Sequence, residues 1–222
     1  MADDKVEIVV LDCGFSMFGM RARIALAGKG VQYKRLEQDL TNKSPLLLQM
    51  NPIQKMIPVL IHNGKPICES LIIVEYIDQV WNHTAPLLPP DRYLRARARF
   101  WANFVDLKVY GASRRIWNSN GEEQVKGKNE FIESLSQMEE ELGNKVYFGG
   151  DMFGFVDVAL IPFYCWFYTY ETFGNFKIEE ECPKLIAWAK RCKMRESVSK
   201  SLGDEKQVYE SVLAYKKSSR LA

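Results

Sequence analysis

Histidine is nearly missing from this chain of 222 residues: His62 and His83 are the only two. A zinc centre of Cys and His ligands, or a Ser-His-Asp hydrolase, would have to draw on one of them. Each sits in a turn-like context, so both classes are poor readings and no metal is expected. Cysteine is sparse and unpaired: the five, at 13, 68, 165, 182 and 192, contain no C-x-x-C spacing and are odd in number. No apolar run approaches the ~18 residues of a transmembrane helix, and the opening MADDKVEIVV lacks a signal-like apolar core. These absences indicate reduced thiols in a soluble intracellular protein, with the cytosol as compartment and no membrane partner. Neither sign of charge dominates, with 30 basic and 28 acidic side chains and a formal charge of +2. A phosphate-driven nucleic-acid binder shows a larger basic surplus or a basic stripe. The cluster Arg92, Arg95, Arg97 and Arg99 is read as a solvated helix face.

What is present is an ordinary globular composition, 47% hydrophobic and 26% charged, in a length between one and two domains at about 150 residues each. Residues 5 to 12, KVEIVVLD, read as a largely buried strand. A helix is expected from about Ser16, with Met20, Ile24 and Ala27 on one face and Gly28 and Gly30 as its stop. Gln32 to Leu36 reads as a strand, Ser44 to Met50 as a short helix, and Pro58 to Ile61 as a strand turning at His62-Asn63-Gly64 into Lys65 to Cys68. Ser70, a capping-type residue, precedes a helical stripe of Leu71, Val74, Ile77, Val80 and Trp81. This is strand, helix, strand, helix, hairpin, helix, with parallel and antiparallel pairings mixed in one sheet.

The segment 83–91 carries three prolines in nine residues and reads as a linker. Beyond it the periodicity is helical throughout, over roughly 92–117, 122–142, 154–172, 183–192 and 205–216. The expected domains are therefore 1–82, an α/β unit, and 92–222, an all-helical one. Aromatics divide along the same line: 5 of 27 precede the linker, and eight crowd into FYCWFYTYETFGNF, residues 163–176. That is too many for one core-facing stripe, so some must line a surface or a cavity.

Three local features carry chemistry. Ser16 stands at a helix N-terminus, where unpaired N–H groups and the helix dipole favour an anion; a plain capping role is the simpler reading of its position. A proline opens the strand at Ile57-Pro58, after the lysine-bearing loop Asn51 to Lys55; a cis bond there would turn the Ile57 backbone outward for a bound peptide. Glu69-Ser70 sets an acid and a hydroxyl at a helix start, able to meet the ammonium and the carboxylate of an amino-acid backbone.

These features occur together with Ser16-Met-Phe-Gly-Met-Arg21, Asn42-Lys-Ser-Pro-Leu-Leu-Leu-Gln49, Ile57-Pro58-Val-Leu and Cys68-Glu-Ser-Leu71. With Tyr147-Phe-Gly-Gly-Asp151, Phe163-Tyr-Cys-Trp166 and Glu181-Cys-Pro-Lys184, the chain resembles the glutathione transferases over essentially its whole length, and the plant tau class in particular. The resemblance implies a thioredoxin-like first domain with a mixed four-stranded sheet, an all-α second domain and a homodimer, with the arginine-bearing helix near the subunit interface. It implies an enzyme that conjugates the thiolate of glutathione, its co-substrate, to small apolar electrophiles in detoxification and stress responses, with hydroperoxide reduction as a further activity.

Residue by residue, the resemblance makes Ser16 the hydroxyl facing the glutathione sulfur. It makes Lys43 and Lys55 partners of the glycyl carboxylate, Ile57 with Pro58 the backbone partner of the cysteinyl unit, and Glu69 with Ser70 the holders of the γ-glutamyl end. Phe18, Tyr110, Arg114, Trp117 and Trp166 face the acceptor. Tyr110, Arg114 and Trp117 are also spaced by four and three, on one helix face. Gly154-Phe-Val-Asp157 resembles the family's structural capping box, with Phe153 and Val158 as its hydrophobic staple.

One stretch departs from the family pattern. Asp12-Cys-Gly-Phe15 stands where a Phe-Trp-Pro or Trp-Ala type of sequence is expected before the serine. A reactive Cys13 would suit a glutathione-dependent thiol transferase; a buried strand-end cysteine is the plainer reading. A non-catalytic protein that holds apolar ligands in the same cleft is the remaining alternative.

Overall fold

The computed structural model describes residues 6–84 and 86–220, with side chains described as far as residue 217. Lys5, at the start of the first predicted strand, and Ala85, in the predicted linker, lie outside the described residues. The chain divides into two compact units between Leu87 and Leu88.

The first unit is built on a sheet of order β2-β1-β3-β4. Strand β1, Ile8–Asp12, is buried along its whole length because it is flanked on both edges. It pairs in parallel with β2, Lys34–Glu37, and antiparallel with β3, Val59–His62, which pairs antiparallel with β4, Lys65–Cys68. The β3–β4 hairpin turns on Asn63 and Gly64, at φ of 49° and 76°, the pair of positive angles that an Asn-Gly turn supplies at low cost. Strand β2 begins later than the predicted Gln32 and runs through Glu37. On one face, Val9, Leu11, Val59 and Ile61 pack with Leu47 of α2, Pro45–Met50.

Helices α1, Met17–Gly28, and α3, Ser70–Val80, pack on one another. Every residue of α1 from Gly19 to Leu26 is buried, Arg21 and Arg23 included, whereas the predicted core position Ala27 is exposed. In α3 the burial falls on Ile73, Val74 and Ile77, while Val80, assigned to the stripe from its spacing, is 42% exposed.

The second unit is helical. Helix α4, Arg92–Phe104, passes without a break through a π-helical stretch, Val105–Tyr110, into α5, Gly111–Asn118. Helix α6, Gly121–Leu142, follows. The helix predicted over 154–172 is three pieces: α7, Phe155–Leu160, a 3-10 stretch, Ile161–Trp166, and α8, Phe167–Gly174. Pro162 accounts for the change, since it has no N–H for an α-helical bond and its ring clashes with the preceding turn. Two four-residue helices, α9, Ile178–Glu181, and α11, Glu196–Ser199, flank α10, Pro183–Lys193, and α12 spans Glu205–Arg220.

Asp157 organises this unit. Fully buried, it accepts the Gly154 N–H at 2.8 Å, the Phe148 N–H at 3.1 Å and the Trp188 indole N–H at 2.7 Å. It thus starts α7 and ties that helix to α10. The staple residues Phe153 and Val158 are both buried. Burial pushes the Asp157 carboxyl up to about 6 against the pull of these hydrogen bonds.

Candidate active site

Ser16 caps α1. Its backbone is extended, at φ −70° and ψ 113°, and its Oγ accepts the Gly19 N–H at 3.2 Å. Because the oxygen accepts, the hydroxyl proton is still available to donate outward. Ser16 is half-buried and closes the turn Cys13–Ser16 through its N–H to the Cys13 carbonyl at 2.9 Å.

Cys13 has the environment of a structural thiol. It is 3% exposed, and burial pushes it up to about 11. A thiol-transferase nucleophile needs a lowered pKa and access, so the burial of Cys13 favours the plainer reading of a strand-end cysteine over that of a reactive thiol.

The start of α3 is more elaborate than its sequence suggests. Glu69 is exposed and stands at φ 69° and ψ 117°, outside the regions that L side chains favour, so the surrounding structure must hold it there. Its carbonyl still accepts the Ile73 N–H at 2.8 Å. Ser70 does not cap the helix. It is the first helical residue, buried, and its Oγ accepts a hydrogen bond from Arg21 Nη1 at 3.0 Å. Arg21 is fully buried in α1 and lies 5.0 Å from the centre of the Phe18 ring. A buried guanidinium is thereby held at the N-terminus of α3 beside Glu69 and Ser70, where the helix dipole adds positive potential. Sequence reasoning assigned Arg21 no role; its only signal was a position on a helix with little polar surface.

Lys43 and Lys55 are exposed on loops. Lys43 directly precedes Ser44, whose Oγ accepts the Leu47 N–H at 3.1 Å and donates to Gln38 Oε1 at 2.6 Å. Lys55, at φ 55°, donates its N–H to the Asn51 carbonyl at 2.9 Å. The buried Asn51 shapes that loop: its amide donates to the Met56 carbonyl at 3.0 Å and accepts the Gln54 N–H at 3.2 Å. The Ile57–Pro58 bond that follows is cis.

In the second unit, Trp117 and Trp166 come together with ring centres 6.0 Å apart, and Trp166 stacks on Tyr170 at 6.0 Å. Trp166 is 7% exposed, Tyr110 and Trp117 are half-buried, and Arg114 is exposed. Helix α12 adds a part that periodicity could not reveal. Tyr215 meets the Trp117 ring edge-on at 5.9 Å, and Lys216 Nζ donates to the Trp117 carbonyl at 2.6 Å. Of the eight aromatics in 163–176, Phe163, Trp166, Phe167 and Tyr170 are buried, whereas Tyr168 is 44% exposed.

Among the described residues, no group of three or more His, Cys, Asp or Glu side chains is set to hold a metal ion. No described helix is long and apolar enough to cross a membrane.

The first unit is thus a mixed four-stranded sheet of thioredoxin type with its helices, and the second unit is helical. The match to known sequences agrees: residues 7–79 fit the family described as "Glutathione S-transferase, N-terminal domain" and residues 100–196 its C-terminal domain. The chain belongs to the glutathione S-transferase family. It is similar to glutathione S-transferase 3 of Glycine max, 59% identical over 96% of this chain and 97% of that one. Glutathione S-transferase U19 of Arabidopsis thaliana is 62% identical over 95% of this chain and 96% of its own length. Among solved structures, rice GST1 in complex with glutathione superposes with a TM-score of 0.92 at 46% identity, over 97% of this chain and 98% of that one. The tau-class enzyme of mango, Mangifera indica, gives 0.89 at 39% identity over 94% and 98%. The chain thus groups with the plant tau-class enzymes, and glutathione is the co-substrate of the family.

Proposed function

We propose that this enzyme transfers the glutathione thiolate to small apolar electrophiles, with Ser16 as the hydroxyl that donates to the sulfur. The observation that carries the reading is the Ser16 cap itself: Oγ accepts from Gly19, which aligns the hydroxyl with the positive end of α1 and leaves its proton for an anion. A free thiol near pKa ~8.5 is mostly protonated at neutral pH. Lowering it by one to two units takes about 1.4 to 2.8 kcal/mol of preferential thiolate stabilisation. A hydroxyl donor and a helix terminus together supply interactions of that size.

The rest of the tripeptide finds a complement in the first domain, residues 1–82. Glu69 meets the γ-glutamyl ammonium, and Ser70 with Arg21 meets the adjoining carboxylate. The backbone of Ile57, fixed by Pro58, pairs with the cysteinyl unit, and Lys43 and Lys55 neutralise the glycyl carboxylate. After the linker 83–91, the helical domain 92–222 supplies Tyr110, Arg114, Trp117 and Trp166 for the acceptor. The paired rings of Trp117 and Trp166 suit a flat apolar electrophile. The enzyme works as a homodimer in the cytosol. The exposed apolar residues of α4, Tyr93 at 69%, Leu94 at 52% and Phe100 at 61%, support a subunit contact on that helix.

The test is a Ser16→Ala variant assayed with glutathione and a chloronitrobenzene acceptor. The expected outcome is a 10- to 100-fold loss of kcat near neutral pH, about 1.4 to 2.8 kcal/mol, with KM for glutathione within about threefold and partial recovery at alkaline pH. An unchanged rate and pH profile removes Ser16 from the mechanism.

A further inference from the structure

Ser16 reaches its position through a turn that four charged side chains surround. The turn Cys13–Ser16 joins β1 to α1, and its second residue, Gly14, is gripped at both its N–H and its carbonyl. Glu37 Oε1, from β2, accepts the Gly14 N–H at 2.7 Å. Arg23 Nη2, from α1, donates to the Gly14 carbonyl at 3.0 Å. The two grips are joined behind the turn. Arg35 is ion-paired with Glu37, and its Nε lies 3.4 Å from Asp12 Oδ2, while Arg23 Nε lies 3.3 Å from the same oxygen. Asp12 is fully buried at the end of β1 and paired in register with Glu37 of β2. The arrangement holds two charges of each sign around a single residue.

We propose that Glu37 and Arg23, coupled through Asp12 and Arg35, are positioning residues for Ser16, setting its hydroxyl against the sulfur through the Gly14 peptide. The inference rests on the reading of Ser16 as the thiolate donor. It follows from the geometry of the turn: Ser16 N–H closes on the Cys13 carbonyl, which shares its peptide plane with the Gly14 N–H held by Glu37, so rotation of that plane displaces the cap directly. It also fits the unusual composition of this loop. Cys13-Gly14-Phe15 has neither a proline nor a bulky residue at its centre to stiffen it, so the stiffness must come from hydrogen bonds made by neighbouring strands and helix. Three elements contribute: β1 through Asp12, β2 through Arg35 and Glu37, and α1 through Arg23. The charge of each grip is balanced locally, so the clamp can fix the hydroxyl without adding a net charge beside the thiolate.

The test uses the full-length enzyme with Glu37→Ala, Glu37→Gln and Arg23→Lys, alone and combined with Ser16→Ala. The readouts are the pH at which enzyme-bound glutathione ionises, followed by thiolate absorbance, the pH profile of kcat/KM, and the melting temperature. Glu37→Ala is expected to raise the ionisation pH of bound glutathione by about 0.5 unit, with a roughly threefold lower kcat/KM near pH 6.5. Glu37→Gln, whose amide oxygen still accepts from Gly14, recovers most of that loss. On a Ser16→Ala background, Glu37→Ala adds nothing, because the hydroxyl it positions is gone. A folded Glu37→Ala enzyme with an unshifted profile overturns the proposal, as does an effect of full size on the Ser16→Ala background. Should Glu37→Ala fail to fold, Arg23→Lys decides: a shifted profile supports the clamp and an unshifted one overturns it. An unshifted profile in Ser16→Ala alone is a different result, since it removes the reading beneath the proposal.

Discussion

Gly14 and Gly19 lie five positions apart and face opposite demands, which shows how much a single position can carry. A Cβ built on Gly14 would stand 3.4 Å from Arg35 Nη2 and 3.7 Å from Glu37 Oε1, ordinary contact distances. Gly14→Ala is therefore expected to keep or slightly raise stability, by about 0.5 kcal/mol, as the unfolded chain loses freedom. A Cβ on Gly19 would stand 1.6 Å from Asp12 Oδ1. Gly19→Ala must push a buried carboxylate off two arginines, and urea unfolding should record a loss of about 3 kcal/mol or more. Stability within about 1 kcal/mol of the native enzyme would contradict the close approach of α1 to Asp12. Legibility at this scale followed exposure. Ser16 could be read as a cap because a cap is a local event, made with a residue three positions away. Ser70 and Arg21 could not, because each finds the other across 49 positions, and an arginine in a helix reads as surface until something shows it buried.

Elements were legible in proportion to their length and to the strength of their punctuation. The Asn63-Gly64 hairpin stood out because only a few turn types close two strands in two residues. The α7–α8 region misled because an unbroken aromatic run hides the one residue, Pro162, that reorganises its backbone. Helices α9 and α11, four residues each, are too short to display a period at all. Two predictions belong here. Asp157→Ala leaves the Phe148, Gly154 and Trp188 donors without their acceptor. It should cost about 3 kcal/mol or more by chemical denaturation, with KM for glutathione little changed in the molecules that fold. Loss of glutathione binding without loss of stability would contradict the structural role of Asp157. Tyr215→Ala uncovers one edge of Trp117. It should red-shift tryptophan emission and change kcat/KM for bulky acceptors several-fold, with glutathione KM within about twofold. Equal effects on both substrates would separate α12 from the acceptor side.

At the scale of the whole molecule, each unit contains one carboxylate that burial raises to about 6, Asp12 in the first and Asp157 in the second. Both start from 3.8 when exposed, so the native state holds protons that the unfolded chain has released between about pH 4 and 6. The stability from these groups is complete below about pH 4 and is lost as pH rises through about 6, up to about 3 kcal/mol each. Unfolding free energies measured from pH 4.5 to 7 should therefore fall less steeply with rising pH in Asp157→Asn than in the native enzyme. Identical slopes would refute the raised carboxyl. The aromatic division between the units also has a spectroscopic side. Of the five tryptophans, Trp81 alone belongs to the first unit, whereas Trp101, Trp117, Trp166 and Trp188 all belong to the second. Emission from this protein is thus chiefly a report on its helical half, and the first unit is nearly dark. An acceptor that stacks on Trp117 can be titrated by quenching alone, while glutathione occupancy has to be read from the sulfur.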